Sequence, residues 1–147
     1  MLDKRKFYIN GRWVEPKKPN DFNVINPCNE DPCAIISLGS KEDTNAAIKS
    51  AKNAFETWKE TTKEDRLNYL EKLLSVYKKR SREMAEAISL EMGAPMDWAT
   101  EVQTASGQSH LEDFILRLKD FEFDEHFNKK SNNHIYYEPI GVCGLIT

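Results

Sequence analysis

Apolar residues recur along this chain with two periods, and the change of period divides it. Up to Gly39 the apolar runs are short and bounded by turn residues, the pattern of half-buried strands. Phe7-Tyr8-Ile9-Asn10-Gly11-Arg12-Trp13-Val14 sets Asn-Gly between aromatic and β-branched residues. Both turn residues tolerate the positive φ of a type I′ turn, so a hairpin is expected. Pro16 to Asp21 reads as a connector. Phe22 to Ile25 is a short strand stopped by Asn26-Pro27, and Ala34 to Leu38 is the next, ended by Gly39. These strands should be antiparallel.

From Ser40 the period becomes helical. Ser40 and Asp43 fit a capping box, and the helix after them carries Ala47, Ile48, Ala51, Phe55 and Trp58 on one face. A second cap, Thr62 with Asp65, opens one long helix with Leu67, Leu70, Leu74, Tyr77, Met84 and Ile88 at helical spacing, stopped by Gly93 and Pro95. A third helix is expected from Pro95 to about Lys119, with Trp98, Val102, Leu111, Phe114, Ile115 and Leu118 on its buried side. Ala105, Ser106 and Gly107 in its middle are small, which predicts close approach by another backbone. Phe121 to Ser131 reads as charged and irregular, and Asn133 to Glu138 as a strand.

Val142, Leu145 and Ile146 are apolar without strict alternation, as in a parallel strand covered on both faces. A parallel strand needs a crossover of a dozen or more residues to reach its neighbour. Nothing follows Thr147, and the stripes of the three helices also want a covering layer. The expectation is the front part of a larger enzyme.

Composition narrows the partners. The 147 residues carry 21 basic and 24 acidic side chains, a net charge of -3. Phosphate binding needs a basic excess on one face, so nucleic acid is not an expected partner. Lys4-Arg5-Lys6 and Lys78-Lys79-Arg80 read as solvated surface. No apolar run approaches the roughly 18 residues of a membrane span, and the start lacks a secretory apolar region. Cys28, Cys33 and Cys143 have no metal-ligand spacing, which points to free thiols and a cytoplasmic protein.

Candidate chemistry is sparse. His110, His126 and His134 are scattered, none at i, i+4 from another ligand. No nucleophile elbow and no Gly-x-Gly-x-x-Gly occurs, and Gly141 and Gly144 precede no helix. Cys143 falls mid-strand, where a buried thiol is inert. Glu91 is the exception. It follows Ile88 by three residues, placing a carboxylate on or beside the apolar stripe, at a helix end that favours cations. Such a group needs hydrogen bonds, a cation or a raised pKa. Alternatively the helix frays there and the side chain turns to water.

Taken in order, several pieces resemble the N-terminal part of the NAD(P)-dependent aldehyde dehydrogenase family. They are Phe7 to Trp13, Val24-Ile25-Asn26-Pro27 with Glu30, Ala47, Ala51, Ala54-Phe55 and Trp58, then Arg66, Leu70, Arg82 and Ala85. Glu91-Met92-Gly93-Ala94-Pro95 and Glu138-Pro139-Ile140-Gly141-Val142-Cys143-Gly144-Leu145-Ile146-Thr147 complete the set. The resemblance implies an α/β fold, the N-terminal part of a Rossmann-type cofactor domain. Residues 1–120 would belong to that domain, 121–138 would be an oligomerisation arm, and 139–147 the first strand of the main cofactor-binding sheet.

The resemblance also implies an activity, the oxidation of an aldehyde to a carboxylic acid by NAD or NADP through a Cys thiohemiacetal. The family's nucleophilic Cys, oxyanion-hole Asn and general-base Glu would lie beyond this chain, so no catalytic residue is carried over. Ile146 and Thr147 match the strand end that touches the cofactor. Val24, Ile25 and Glu91 match a structural monovalent-cation site of some members, two backbone carbonyls and a carboxylate. A homo-dimer or homo-tetramer is implied. The other reading is a non-catalytic α+β interaction module that keeps the family's dimerisation surface.

Overall fold

The computed structural model describes residues 1–128 and 132–146. Its first strand, β1 (Leu2–Asp3), was too short for periodicity to reveal. The Asn10-Gly11 turn, with φ of 54° and 73°, joins β2 (Phe7–Ile9) to β3 (Arg12–Val14) in the expected hairpin. Tyr8 and Trp13 stand opposite each other in it, their rings edge to face at 5.3 Å. β4 (Asp21–Ile25) runs antiparallel to β5 (Pro32–Ser37), as expected, and β1 adds in parallel to the other edge of β5. Ala34 and Ser37 of this central strand are buried. Arg5 spans the sheet, its guanidinium 2.7 Å from Asp3 and 3.2 Å from Asp21.

Both capping boxes form. Ser40 opens α1 (Lys41–Trp58): its hydroxyl accepts from the Asp43 amide, while Asp43 accepts from the Ser40 amide at 3.0 Å. Asp43 also accepts the Lys17 amide at 2.9 Å, which fastens the proline-rich connector to the helix start. The carboxylate is thus buried yet satisfied. Thr62 and Asp65 repeat the box at the start of α2 (Lys63–Lys79).

The expected single long helix is two. Arg80 leaves helical geometry (φ -109°, ψ 12°), and α3 (Ser81–Met92) starts after it. The break lies in Lys78-Lys79-Arg80-Ser81-Arg82, which contains no Gly or Pro and keeps the apolar spacing from Tyr77 to Met84. Local side chains hold it: the Ser81 hydroxyl donates to the Lys78 carbonyl at 3.2 Å, and Arg80 pairs with Glu83 at 2.8 Å. Gly93, at φ 72°, ends α3 as the sequence predicts.

The third helix begins with one turn, α4 (Met96–Trp98), passes through a π-helical stretch (Ala99–Thr104), and continues as α5 (Ala105–Asp120). The wider π turn rephases the faces on its two sides. Leu111, Ile115 and Leu118 accordingly turn inward, whereas Trp98, Val102 and Phe114 are exposed, contrary to the single stripe expected. α2 packs on α5 and α3 on the π stretch. Ala85 and Ala99 are fully buried there, letting helices approach closely. The small triplet at 105–107 admits a side chain rather than a backbone. The Tyr77 ring lies over Gly107, where a Cβ would overlap its hydroxyl, and that hydroxyl donates to the Thr104 carbonyl at 2.9 Å.

Beyond α5 the stretch expected to be irregular contains β6 (Asp124–His126), which pairs antiparallel with β7 (His134–Tyr136). Polar Asp-Glu-His gave β6 no apolar alternation to detect. Two cations anchor this hairpin. Lys63 donates to the Lys119 and Phe121 carbonyls, and Arg66 lies over the Phe123 ring at 5.3 Å while donating to Thr61 and the Lys59 carbonyl.

Residues 137–146 form no strand in this chain, although Val142, Leu145 and Ile146 lead to the expectation of one. A strand must satisfy its backbone against a neighbour, and among the described residues none lies alongside. Ile140, Leu145 and Ile146 are more than nine-tenths exposed.

The capping boxes carry a pH dependence. Hydrogen bonds from Ser40 and from the Lys17 amide hold the Asp43 carboxyl below the usual range, and Thr62 does the same for Asp65. The folded form therefore binds these protons less readily than the unfolded chain. Their stabilisation is complete above the unfolded value of about 4 and is lost as pH falls through the lower folded values. Urea denaturation between neutral pH and about pH 3 should show stability falling below about pH 4. In a D43N/D65N variant that fall should be shallower, and an unchanged acid limb would refute the role of the boxes.

Candidate functional site

β4 and α3 meet through their ends. The β4–β5 register shifts between Val24 and Ile25, an irregularity of the kind that re-aims backbone carbonyls. The Val24 carbonyl accepts the Cys33 thiol at 3.4 Å. Immediately after β4, Asn26 caps a tight turn, accepting the Cys28 amide on its side chain and the Glu30 amide on its carbonyl, with Glu30 at φ 61°. Gly93 sits against this turn. A Cβ there would come within 2.8 Å of the Pro27 ring and 3.7 Å of the Cys28 sulfur.

Glu91, two residues before Gly93, lies inside α3 and is exposed. The helix does not fray at Glu91, and its carboxylate is not buried in the stripe. The candidate donors are the Glu91 carboxylate on α3 and the backbone carbonyls of Val24 and Ile25 at the β4 irregularity. Oxygen donors of this kind suit a hard cation.

Ile146 stands on the exposed segment after β7, and Thr147 lies outside the described residues. Cys143 is exposed, not buried, and its thiol lies 3.8 Å from the Gly141 carbonyl. The histidines are less scattered than the sequence suggests. His110 is on α5, but His126 and His134 stand opposite each other across β6 and β7, ring centroids 4.2 Å apart. Sequence spacing missed the pair because β6 was not visible. Among the described residues no group of three or more His, Cys, Asp or Glu side chains converges on a metal position.

The concave surfaces are shallow and mostly apolar. A trough of about 410 Å³ runs between α2 and α5, lined by Trp58, Tyr69, Leu73, Phe114 and Phe123. Another of about 450 Å³ lies between β2 and the start of α1. Neither includes Val24, Ile25, Glu91 or Ile146. Of the charged groups that line them, Arg66 and Asp43 are engaged in the contacts already described and Lys6 pairs with Glu15 at 2.9 Å. Among the described residues, no helix is long and apolar enough to cross a membrane.

Comparison with known proteins gives this geometry its context. The model of the aldehyde dehydrogenase family matches residues 13–147. Over the whole chain, a 3-succinoylsemialdehyde-pyridine dehydrogenase from a Pseudomonas species is 39% identical, and a putative aldehyde dehydrogenase of Staphylococcus saprophyticus 36%. The chain spans about 30% of the length of each of these relatives. The crystal structure of an aldehyde dehydrogenase from Bartonella henselae superposes with a TM-score of 0.88 at 52% identity, covering 90% of this chain and 28% of that one. Aldehyde dehydrogenase C of Pseudomonas syringae, solved as a mutant with NAD+ and octanal, gives a TM-score of 0.82 at 32% identity, covering 84% and 26%. These similarities share the α/β arrangement found here.

Thiol accessibility tests the surroundings of the cysteines. Cys28 and Cys143 are exposed, whereas Cys33 is half-buried and bonded to the Val24 carbonyl. Ellman's reagent should titrate two thiols fast and one slowly, and C33S should remove the slow phase. Three equal rates, or a slow phase lost in C143S, would contradict this placement.

Proposed function

The chain belongs to the aldehyde dehydrogenase family, and from that premise we propose that it supplies the N-terminal portion of an NAD(P)-dependent aldehyde-oxidising enzyme. The observation that carries this reading is the match along residues 13–147, with folds superposing on enzymes of the same family. The neighbour solved with NAD+ and octanal favours NAD and a small aldehyde for the complete enzyme. NADP remains the other cofactor of this reading. The nicotinamide cofactor supplies the hydride acceptor. The nucleophilic Cys and general-base Glu that the reaction needs are assigned to sequence outside these residues, so Cys28, Cys33 and Cys143 have no catalytic part.

Within the proposal, residues 1–120 build one flank of the cofactor domain. Residues 121–138 form the arm through which subunits of a homo-dimer or homo-tetramer pair. Residues 139–147 become the first strand of the main sheet once a neighbouring strand lies beside them, with Ile146 and Thr147 at the cofactor. The exposed apolar side chains of Ile140, Leu145 and Ile146 fit a segment that pairs in the complete protein. A cytoplasmic location goes with this reading.

The purified chain should form no NADH or NADPH from octanal, and measurable turnover would overturn the absence of catalytic groups. Conversely, residues 1–147 should replace the matching segment of the Pseudomonas dehydrogenase with retention of NAD-dependent oxidation. A chimera that folds and binds NAD+ yet is inactive would favour the non-catalytic interaction module.

Val24, Ile25 and Glu91 are proposed to hold a monovalent cation, supported by the β4 irregularity and by Gly93 seated against Pro27. Potassium should raise the Tm of the wild-type chain relative to tetramethylammonium at equal ionic strength, and E91Q should lose that rise. No rise, or an equal one in both, would remove the cation from this position.

A further inference from the structure

The β6–β7 hairpin gathers chemistry on one face. Side chains alternate along a strand, so Asp124 and His126 share a face of β6, and His134 and Tyr136 share the matching face of β7. Register sets His126 opposite His134 and Asp124 opposite Tyr136. The two imidazoles lie 4.2 Å apart between centroids, tilted by 46°. Tyr136 stacks on His134 at 5.6 Å and 14°. Asp124 Oδ1 lies 2.6 Å from His134 Nδ1. Glu125 is on the opposite face, where its carboxylate accepts the Tyr137 hydroxyl at 2.9 Å.

We propose that His126 and His134 form a two-imidazole site for a divalent transition-metal ion, with Asp124 as the carboxylate that positions His134. A hydrogen bond from Nδ1 to Asp124 fixes the tautomer in which Nε2 carries the lone pair. Two imidazole nitrogens on one metal, each at about 2.0–2.1 Å, stand about 3 Å apart. Rings tilted at the observed separation can offer nitrogens at that spacing. The stacked Tyr136 and the bound Asp124 limit how far His134 can turn, so little ordering is needed on binding. Among the described residues no third His, Cys, Asp or Glu converges there, so the site offers two protein nitrogens. Imidazole donors select Ni2+, Cu2+ and Zn2+ over Mg2+ or Ca2+. The site needs none of the groups of the aldehyde-oxidising chemistry, although its four residues lie within the stretch 121–138 proposed as the oligomerisation arm.

The chain has three histidines, and His110 on α5 is an internal reference. The metal-stripped full chain is titrated with Ni2+ while the imidazole proton resonances are followed by NMR. Those of His126 and His134 should broaden together, at Ni2+ concentrations about tenfold or more below those that affect His110, because the second ligand binds intramolecularly. EDTA should restore them. In H126A, His134 should respond like His110, and D124N should require about tenfold more Ni2+. All four side chains are on the surface of the hairpin, and unchanged far-UV circular dichroism confirms the fold of each variant. Simultaneous broadening of all three histidines, or an unchanged His134 response in H126A, would overturn the site and leave the paired rings as hairpin packing alone.

Discussion

The hydrogen bond from Tyr77 to the Thr104 carbonyl organises the helical layer. It requires a phenol on α2 to reach the main chain where the π stretch becomes α5, and only a residue without a side chain at Gly107 leaves room for the ring. The bond crosses from one helix to the next between part-buried partners, where a net contribution of about 1 kcal/mol is typical. Its larger effect is geometric. With α2 and α5 held together at this point, the break at Arg80 can turn α3 onto the π stretch, where Ala85 of α3 and Ala99 of the π stretch are both buried. Alanine at both positions permits the approach, as close packing of helices demands.

From that layer the rest of the chain takes its position. The far end of α3 delivers Gly93 to the turn after β4, against Pro27 and Cys28. The start of α2 supplies Lys63 and Arg66, which hold the end of α5 and the β6–β7 hairpin. At the other side, Asp43 fastens the connector to α1 through the Lys17 amide. Three separate loops are thus fixed by helix termini, through caps and cations that satisfy orphan backbone groups.

Membership of the aldehyde dehydrogenase family accounts for the balance of features. The described residues contain ordered caps, turns and anchors, but the concave surfaces are apolar and the buried core is built from few side chains, Ala34, Leu67, Ala85, Ala99 and Ile115. Trp58, Tyr69, Leu73 and Phe114 remain uncovered along α1, α2 and α5. Such faces are suited to packing against further protein. The histidine pair on β6–β7 differs from them in being polar and hydrogen-bonded, with Tyr136 stacked on His134.

Local signals in the sequence determined the hairpin at Asn10-Gly11, the antiparallel β4–β5 pair, both capping boxes and the stop at Gly93, because each depends on residues within a few positions of one another. The family was legible for the same reason, being written in short motifs spread along the whole chain. The tertiary structure alone decided the break at Arg80, the π stretch, β1, β6 and the state of residues 137–146. Apolar spacing passes unchanged through Arg80, and a strand as polar as Asp124–His126 exists only because its partner completes its hydrogen bonds. Glu91 shows the division most plainly. Its place on the helix followed from periodicity, but only the folded chain shows that the helix persists through Glu91 and leaves the carboxylate exposed.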